Sequence, residues 1–177
     1  MNILALIGSP RKNGNTVAVV DALLSGAKDA GHETDSIMVY DKNILPCIDC
    51  RRCQRGSFAC GLHDDMGMLY EKISGADVLV IGTPLYWYGA SAPMKTCIDR
   101  FRPYVSSREL EGKGAIVIVP SEEGPSACDP LMHMFRLSFQ YLGVQLLDSL
   151  LIKAYDRDDA RQSPGILERA YALGAEL

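Results

Sequence analysis

Four cysteines fall close together, Cys47, Cys50, Cys53 and Cys60, in the pattern C-x2-C-x2-C-x6-C. Four thiolates in one short segment can surround a compact metal centre. The first three match the C-x2-C-x2-C run of bacterial ferredoxins, while the last gap is longer than their x3. A tetrahedral zinc site with four cysteine ligands is an alternative, although zinc ribbons more often use two separated C-x2-C pairs. Thiols without metal, free or oxidised, are a third reading. Arg51, Arg52 and Arg55 would offset the negative charge of a cluster, or simply lie exposed in the loop.

The second chemical feature is GSPRKNGNT, Gly8 to Thr16, between the apolar run NILALI and a segment of helical periodicity. A glycine-rich loop ahead of a helix binds anions, because the helix start offers free N–H groups and a positive dipole end. Asn15 follows Gly14 where a nucleotide-binding P-loop has lysine. The group that would meet the β- and γ-phosphates is missing, which argues against ATP and GTP. The dinucleotide pattern G-x-G-x-x-G is absent, and the loop lacks the cysteine of a phosphotyrosine phosphatase. What remains suits one terminal phosphate: the hydroxyls of Ser9 and Thr16, the amide of Asn15, the guanidinium of Arg11 and the helix start. The plain alternative is a capped helix start with Arg11 and Lys12 in solvent.

The third feature is TPLYWYGASAPMK, residues 83–95, which places Tyr86, Trp87 and Tyr88 together in a chain with one tryptophan. A flat heteroaromatic ring could lie against such a loop, with stacking worth ~1 kcal/mol. A loop packed over the core, or a subunit contact, would use the same residues.

These features need elements to position them. Residues 2–7 read as a strand buried on both faces. Residues 15–30 carry Val17, Val20, Leu23, Leu24 and Ala27 at helical spacing. Strands follow at 33–40, 76–83, 114–120 and within 144–154, and helices at 64–76, 93–104, 126–142 and from about 164. Residues 41–63 form a long irregular stretch that holds the four cysteines. Alternation of this kind gives a parallel sheet with helices on both faces. The expectation is a flavodoxin-like, doubly wound α/β fold with five strands in the order 2-1-3-4-5, in one domain over 1–177 with 41–63 as a cysteine-rich insertion. Ligands in such sheets bind beyond the carboxyl ends of the strands at the switch between strands 1 and 3. The loops 8–16, 83–92 and 120–126 should meet there. A phosphate loop and an aromatic loop on that sheet point to FMN.

At 177 residues, 47% hydrophobic and 23% charged, the chain suits a soluble globular protein. A net charge of −4 gives no basic field for nucleic acid. No apolar run approaches the ~20 residues that span a bilayer, and the start of the chain reads as a strand rather than a signal peptide. The expected compartment is the cytoplasm, where thiols stay reduced. Cys97 and Cys128 read as core fillers. His32, His63 and His133 are scattered and form no triad.

GSPRKNGNT, TPLYWYGASAPMK followed by DRF, and PCIDCRRC before HDDM resemble the NADPH-dependent FMN reductase family, and within it the iron–sulfur flavoproteins. The resemblance has specific motifs over residues 1 to about 105 and rests on strand spacing beyond. It implies bound FMN, a homo-oligomer (dimer or tetramer) and a flavodoxin-like fold. By position it implies that Ser9, Arg11, Asn15 and Thr16 hold the phosphate, and that Pro84, Leu85, Tyr86 and Trp87 border the isoalloxazine. Ser121 and Gly124 would close over the ring or ribityl chain. Cys47, Cys50, Cys53 and Cys60 would carry a 4Fe–4S cluster. The expected function is passage of electrons from NAD(P)H or reduced ferredoxin through FMN, with no side chain acting as nucleophile or base. A cluster-free reductase of flavin, quinones or nitroaromatics is one alternative, and a non-catalytic electron carrier or redox sensor another.

Overall fold

Strand residues of alternating direction build two cores on one sheet. In β1 (Asn2–Ile7), Ile3, Ala5 and Ile7 pack into one hydrophobic layer, while Leu4 and Leu6 pack into the other. The computed structural model describes residues 1–55 and 59–177. The sheet comprises β1, β2 (Glu33–Met38), β3 (Val78–Gly82), β6 (Gly114–Ser121) and β7 (Gln145–Lys153), all parallel, in the order β2-β1-β3-β6-β7. This is the expected flavodoxin-like order, with β6 and β7 as the fourth and fifth strands. β3 is buried throughout, as a central parallel strand covered on both faces must be.

α1 (Asn15–Asp29) and α6 (Pro164–Ala175) cover one face. Here Gly26 and Gly174 let the backbones touch: a Cβ on Gly26 would run into the Tyr171 carbonyl, and one on Gly174 into that of Leu23. α2 (Met66–Gly75), α3 (Ala92–Asp99), α4 (Pro103–Ser107) and α5 (Asp129–Leu142) supply the other core, which includes the fully buried Cys97 and Cys128. Burial pushes the Cys97 thiol up to about 12, so it stays protonated.

Two local expectations are corrected. The helix expected over 93–104 is two helices, because the chain leaves helical geometry after Asp99 and Pro103 starts a new helix where its missing N–H costs nothing. The segment 83–92, expected as plain loop, contains a hairpin of β4 (Leu85–Tyr86) and β5 (Gly89–Ala90). Trp87 and Tyr88 form its turn, both at positive φ (49° and 60°), the geometry that a two-residue hairpin with matching twist requires. A one-turn helix at Val39–Asp41 takes the end of the strand expected over 33–40, and another lies within 41–63 at Arg52–Gln54; residues 56–58 lie outside the described residues. Among the described residues no helix is long and apolar enough to cross a membrane.

Candidate functional site

The carboxyl ends of β1 and β3 stay joined one step beyond the strands, where the Gly8 N–H donates to the Gly82 carbonyl at 2.7 Å. Ser91 Oγ then donates to the Gly8 carbonyl at 2.6 Å, and the Ser91 N–H donates to Thr83 Oγ1 at 3.0 Å. This ties the 83–91 segment to the start of the phosphate loop. A Cβ on Gly8 would sit 2.6 Å from Met94 Cβ, so only glycine allows that approach.

The loop itself turns tightly. The Arg11 N–H donates to Ser9 Oγ at 3.2 Å, and the Gly14 N–H to the Arg11 carbonyl at 3.1 Å. Gly14 caps α1 in extended geometry with no side-chain cap, which leaves the first N–H groups of the helix to an outside acceptor. Ser9 and Thr16 are buried and Arg11 is exposed. A cavity of about 290 Å³ opens over them, lined also by Asn15, Pro84, Leu85, Tyr86 and Ser121. Eight of the ten residues expected at the flavin thus border one cavity. Trp87 and Gly124 do not line it; Trp87 stands 97% exposed at the hairpin tip.

Two of the eight have other duties. Asn15 Nδ2 donates to the Asp156 carbonyl at 2.7 Å, and its Oδ1 accepts the Ala160 N–H at 3.0 Å. Its amide therefore fastens the 156–160 loop to the helix start, and its backbone N–H is what it offers an anion. Ser121 Oγ donates to the Gly124 carbonyl at 2.7 Å, shaping the turn after β6. Glu122 and Tyr155 also line the cavity, and the sequence reading missed both. The only hint of Tyr155 was an aromatic just beyond the last strand.

All four clustered cysteines line a second, smaller cavity together with Tyr70, Arg100 and Arg102. Cys53 is buried, Cys60 half-buried, and Cys47 and Cys50 exposed. Asp49 and Arg51 take positive φ (47° and 60°), so the chain between the cysteines turns sharply on itself. All four thiols line this cavity, although among the described residues no three His, Cys, Asp or Glu side chains are grouped as metal ligands. Four cysteine sulfurs are the donor set of iron–sulfur and zinc centres alike. Arg100 was quoted in the sequence only as part of DRF; it is 1% exposed and ion-paired to the equally buried Asp64. Arginine is rarely so buried, and nothing in the sequence signals it.

Residues 1–151 match the family described as NADPH-dependent FMN reductase. Among curated proteins, the chain is 35% identical over 126 residues to an iron–sulfur flavoprotein of Methanocaldococcus jannaschii, covering 70% of this chain and 65% of that protein. It is 36% identical over 100 residues to an iron–sulfur flavoprotein of Methanosarcina thermophila, covering 56% and 52%. The chain thus spans only part of the length of these relatives. With a Bacillus subtilis protein named as an NAD(P)H-dependent FMN-containing oxidoreductase it shares 27% identity over 183 residues, covering 99% of this chain and 94% of that one. Among solved structures, its fold resembles an NAD(P)H:quinone oxidoreductase from Methanothermobacter marburgensis, with a TM-score of 0.78 at 22% identity over 99% of this chain and 94% of that chain.

Proposed function

The chain belongs to the NADPH-dependent FMN reductase family, and from that premise we propose that it carries electrons from a reduced nicotinamide or a reduced ferredoxin through FMN to a 4Fe–4S cluster held by Cys47, Cys50, Cys53 and Cys60. The observation that carries the flavin part is the single cavity in which the uncapped start of α1, the buried hydroxyls of Ser9 and Thr16, and the Pro84–Tyr86 segment meet. That donor set fits one phosphate dianion. The helix N–H groups and Arg11 would bind it, and Pro84, Leu85 and Tyr86 would border the ring.

FMN held by these residues would supply two-electron and one-electron redox chemistry. The protein's part is anchorage and orientation. Asn15 keeps the 156–160 loop, and with it the Tyr155 wall, against the phosphate end of the cavity. Ser91 holds the hairpin segment against the Gly8 turn, fixing the width of the mouth. At the second cavity, four thiolates and neighbouring guanidiniums fit a cluster that would relay single electrons.

The two cavities share no lining residue. A homo-oligomer, in which the cysteine loop of one copy lies beside the flavin of another, would connect them. The exposed aromatics Tyr86, Trp87 and Tyr88 support such a contact.

The deciding experiment is anaerobic purification followed by an absorption spectrum, iron analysis and NADPH oxidation. Flavin bands, about four irons per chain by the chemistry of such clusters, and NADPH consumption are expected. Iron-free protein that still binds FMN would replace the cluster with a flavin reductase acting alone. Protein without flavin affinity would overturn the whole reading.

A further inference from the structure

We infer that Arg100 is the positioning residue of the cysteine centre: it pins both ends of the loop that carries the thiols and supplies an uncommitted N–H at the wall of the cavity they enclose. This rests on the reading of that cavity as a cluster site.

Arg100 follows directly on α3, and its side chain is 1% exposed. A guanidinium taken out of water needs partners for its charge and its N–H groups. Nη1 donates to Asp64 Oδ2 at 2.7 Å and to the Leu45 carbonyl at 2.8 Å, and Nη2 donates to Asp64 Oδ1 at 3.2 Å. Asp64 in turn accepts the N–H groups of Leu45 at 2.8 Å and Met66 at 3.1 Å. Leu45 precedes Cys47, and Asp64 follows Cys60. One buried ion pair therefore clamps the two ends of the cysteine segment to each other and to the end of α3.

One nitrogen of the guanidinium makes none of these bonds. Among the described residues the Nε of Arg100 is buried without a hydrogen-bond partner. An orphaned N–H of this kind is rare in a folded protein and calls for an explanation. Arg100 lines the cavity that all four cysteines line. Thiolate-ligated clusters carry negative charge, and hydrogen bonds to their sulfurs help set their potentials. A cluster in the cavity would give the Nε–H an acceptor. Arg51 and Arg102 also line the cavity, but they are 62% and 45% exposed and both face Asp49, at 3.2 and 3.8 Å. Water screens exposed charges, and the charge of Arg100 is balanced by Asp64, so what Arg100 offers the centre is its Nε–H in a drier place. Adding an electron to the centre adds negative charge, so this N–H favours the reduced form and raises the potential.

Two variants test the inference. Arg100→Lys keeps a cation opposite Asp64 but has no Nε–H and no fork. The double variant Arg100→Met with Asp64→Asn removes both charges and leaves no orphaned carboxylate. Each is reconstituted anaerobically with iron and sulfide and titrated for the midpoint potential of the cluster. The metal-free proteins are digested with trypsin, which cuts after Arg51, Arg52 and Arg55. Iron content is read alongside, and the iron-loaded fraction of each variant should show a more negative potential than the wild type. Cleavage of the loop should accelerate by roughly ten-fold, as expected for loss of a charged hydrogen bond. Iron-loaded variants with the wild-type potential would overturn the donor role while leaving the cluster reading intact. Unchanged cleavage would overturn the pinning. A wild type that binds FMN but takes up no iron would overturn the cluster and this role together.

Discussion

Arg11 is the one cationic side chain of the 8–16 loop that lines the cavity proposed for flavin, and it reaches there from an exposed position. Solvent weakens its contact with an anion, so Arg11→Ala should cost the low end of the range for a charged hydrogen bond, ~1.5 kcal/mol. FMN affinity, read by fluorescence titration, should fall about ten-fold. Asp64 is the opposite case, buried with its partner. Burial works against its charge, but Arg100 and the N–H groups of Leu45 and Met66 outweigh burial and hold its carboxyl below the ordinary 3.8. A depressed folded-state pKa means stability that is fully present above pH 3.8 and lost as the pH falls through the folded value. Asp64→Asn should therefore flatten the acid-unfolding curve below that pH. Asp64→Ala, which strands the guanidinium, should cost ~3–5 kcal/mol at neutral pH by denaturant titration.

At the level of elements, the tightest fit is between α1 and α6. Gly26→Ala would push a methyl into the Tyr171 carbonyl, and backbone cannot move aside as a side chain can. Overpacking of this kind costs ~1–3 kcal/mol, and the melting temperature should drop by several degrees. The β4–β5 hairpin behaves in the reverse sense. Trp87 pays for a left-handed backbone while its side chain is 97% exposed and gains almost no packing within the chain. Trp87→Gly should raise monomer stability by up to ~1 kcal/mol in a thermal melt. Strain held by an exposed aromatic is the kind that a binding contact repays. The same substitution should therefore weaken self-association if this tip meets a second copy.

For the whole molecule, the separation of the two cavities governs how electrons could pass. Their linings come from different parts of the fold: the carboxyl ends of β1, β3 and β6 for one, the 47–62 loop with α2 and the α3–α4 junction for the other. An oligomer that joins them should sediment at micromolar concentration as a multiple of the 19.3 kDa chain. A monomer at that concentration would leave a cluster in the cysteine cavity, as proposed, to exchange electrons with a protein partner instead.

Much of this was legible before any coordinates, because it depends on local chemistry. Short apolar runs such as NILALI and VLVIG suit strands buried on both faces, and their alternation with helical periods leads to the sheet order observed. GSPRKNGNT read as an anion loop through its own backbone, and its residues do border one cavity; the cysteine spacing read as one loop, and its four thiols do line one cavity. Other features were decided by contacts between residues far apart in the chain. Asn15 looked like a phosphate ligand, and the fold commits its amide to residues 156 and 160. Trp87 looked like a ring partner, and a turn that sends its side chain outward was unreadable because bulky residues seldom take positive φ. Arg100 stood in the sequence only as part of DRF. Its burial depends on Asp64 and on the Leu45 carbonyl, and no local pattern can announce a charge whose partner lies 36 residues away. The energy of a strand or a helix start belongs mostly to its own few residues, whereas the energy of a buried ion pair exists only once the chain has closed around it.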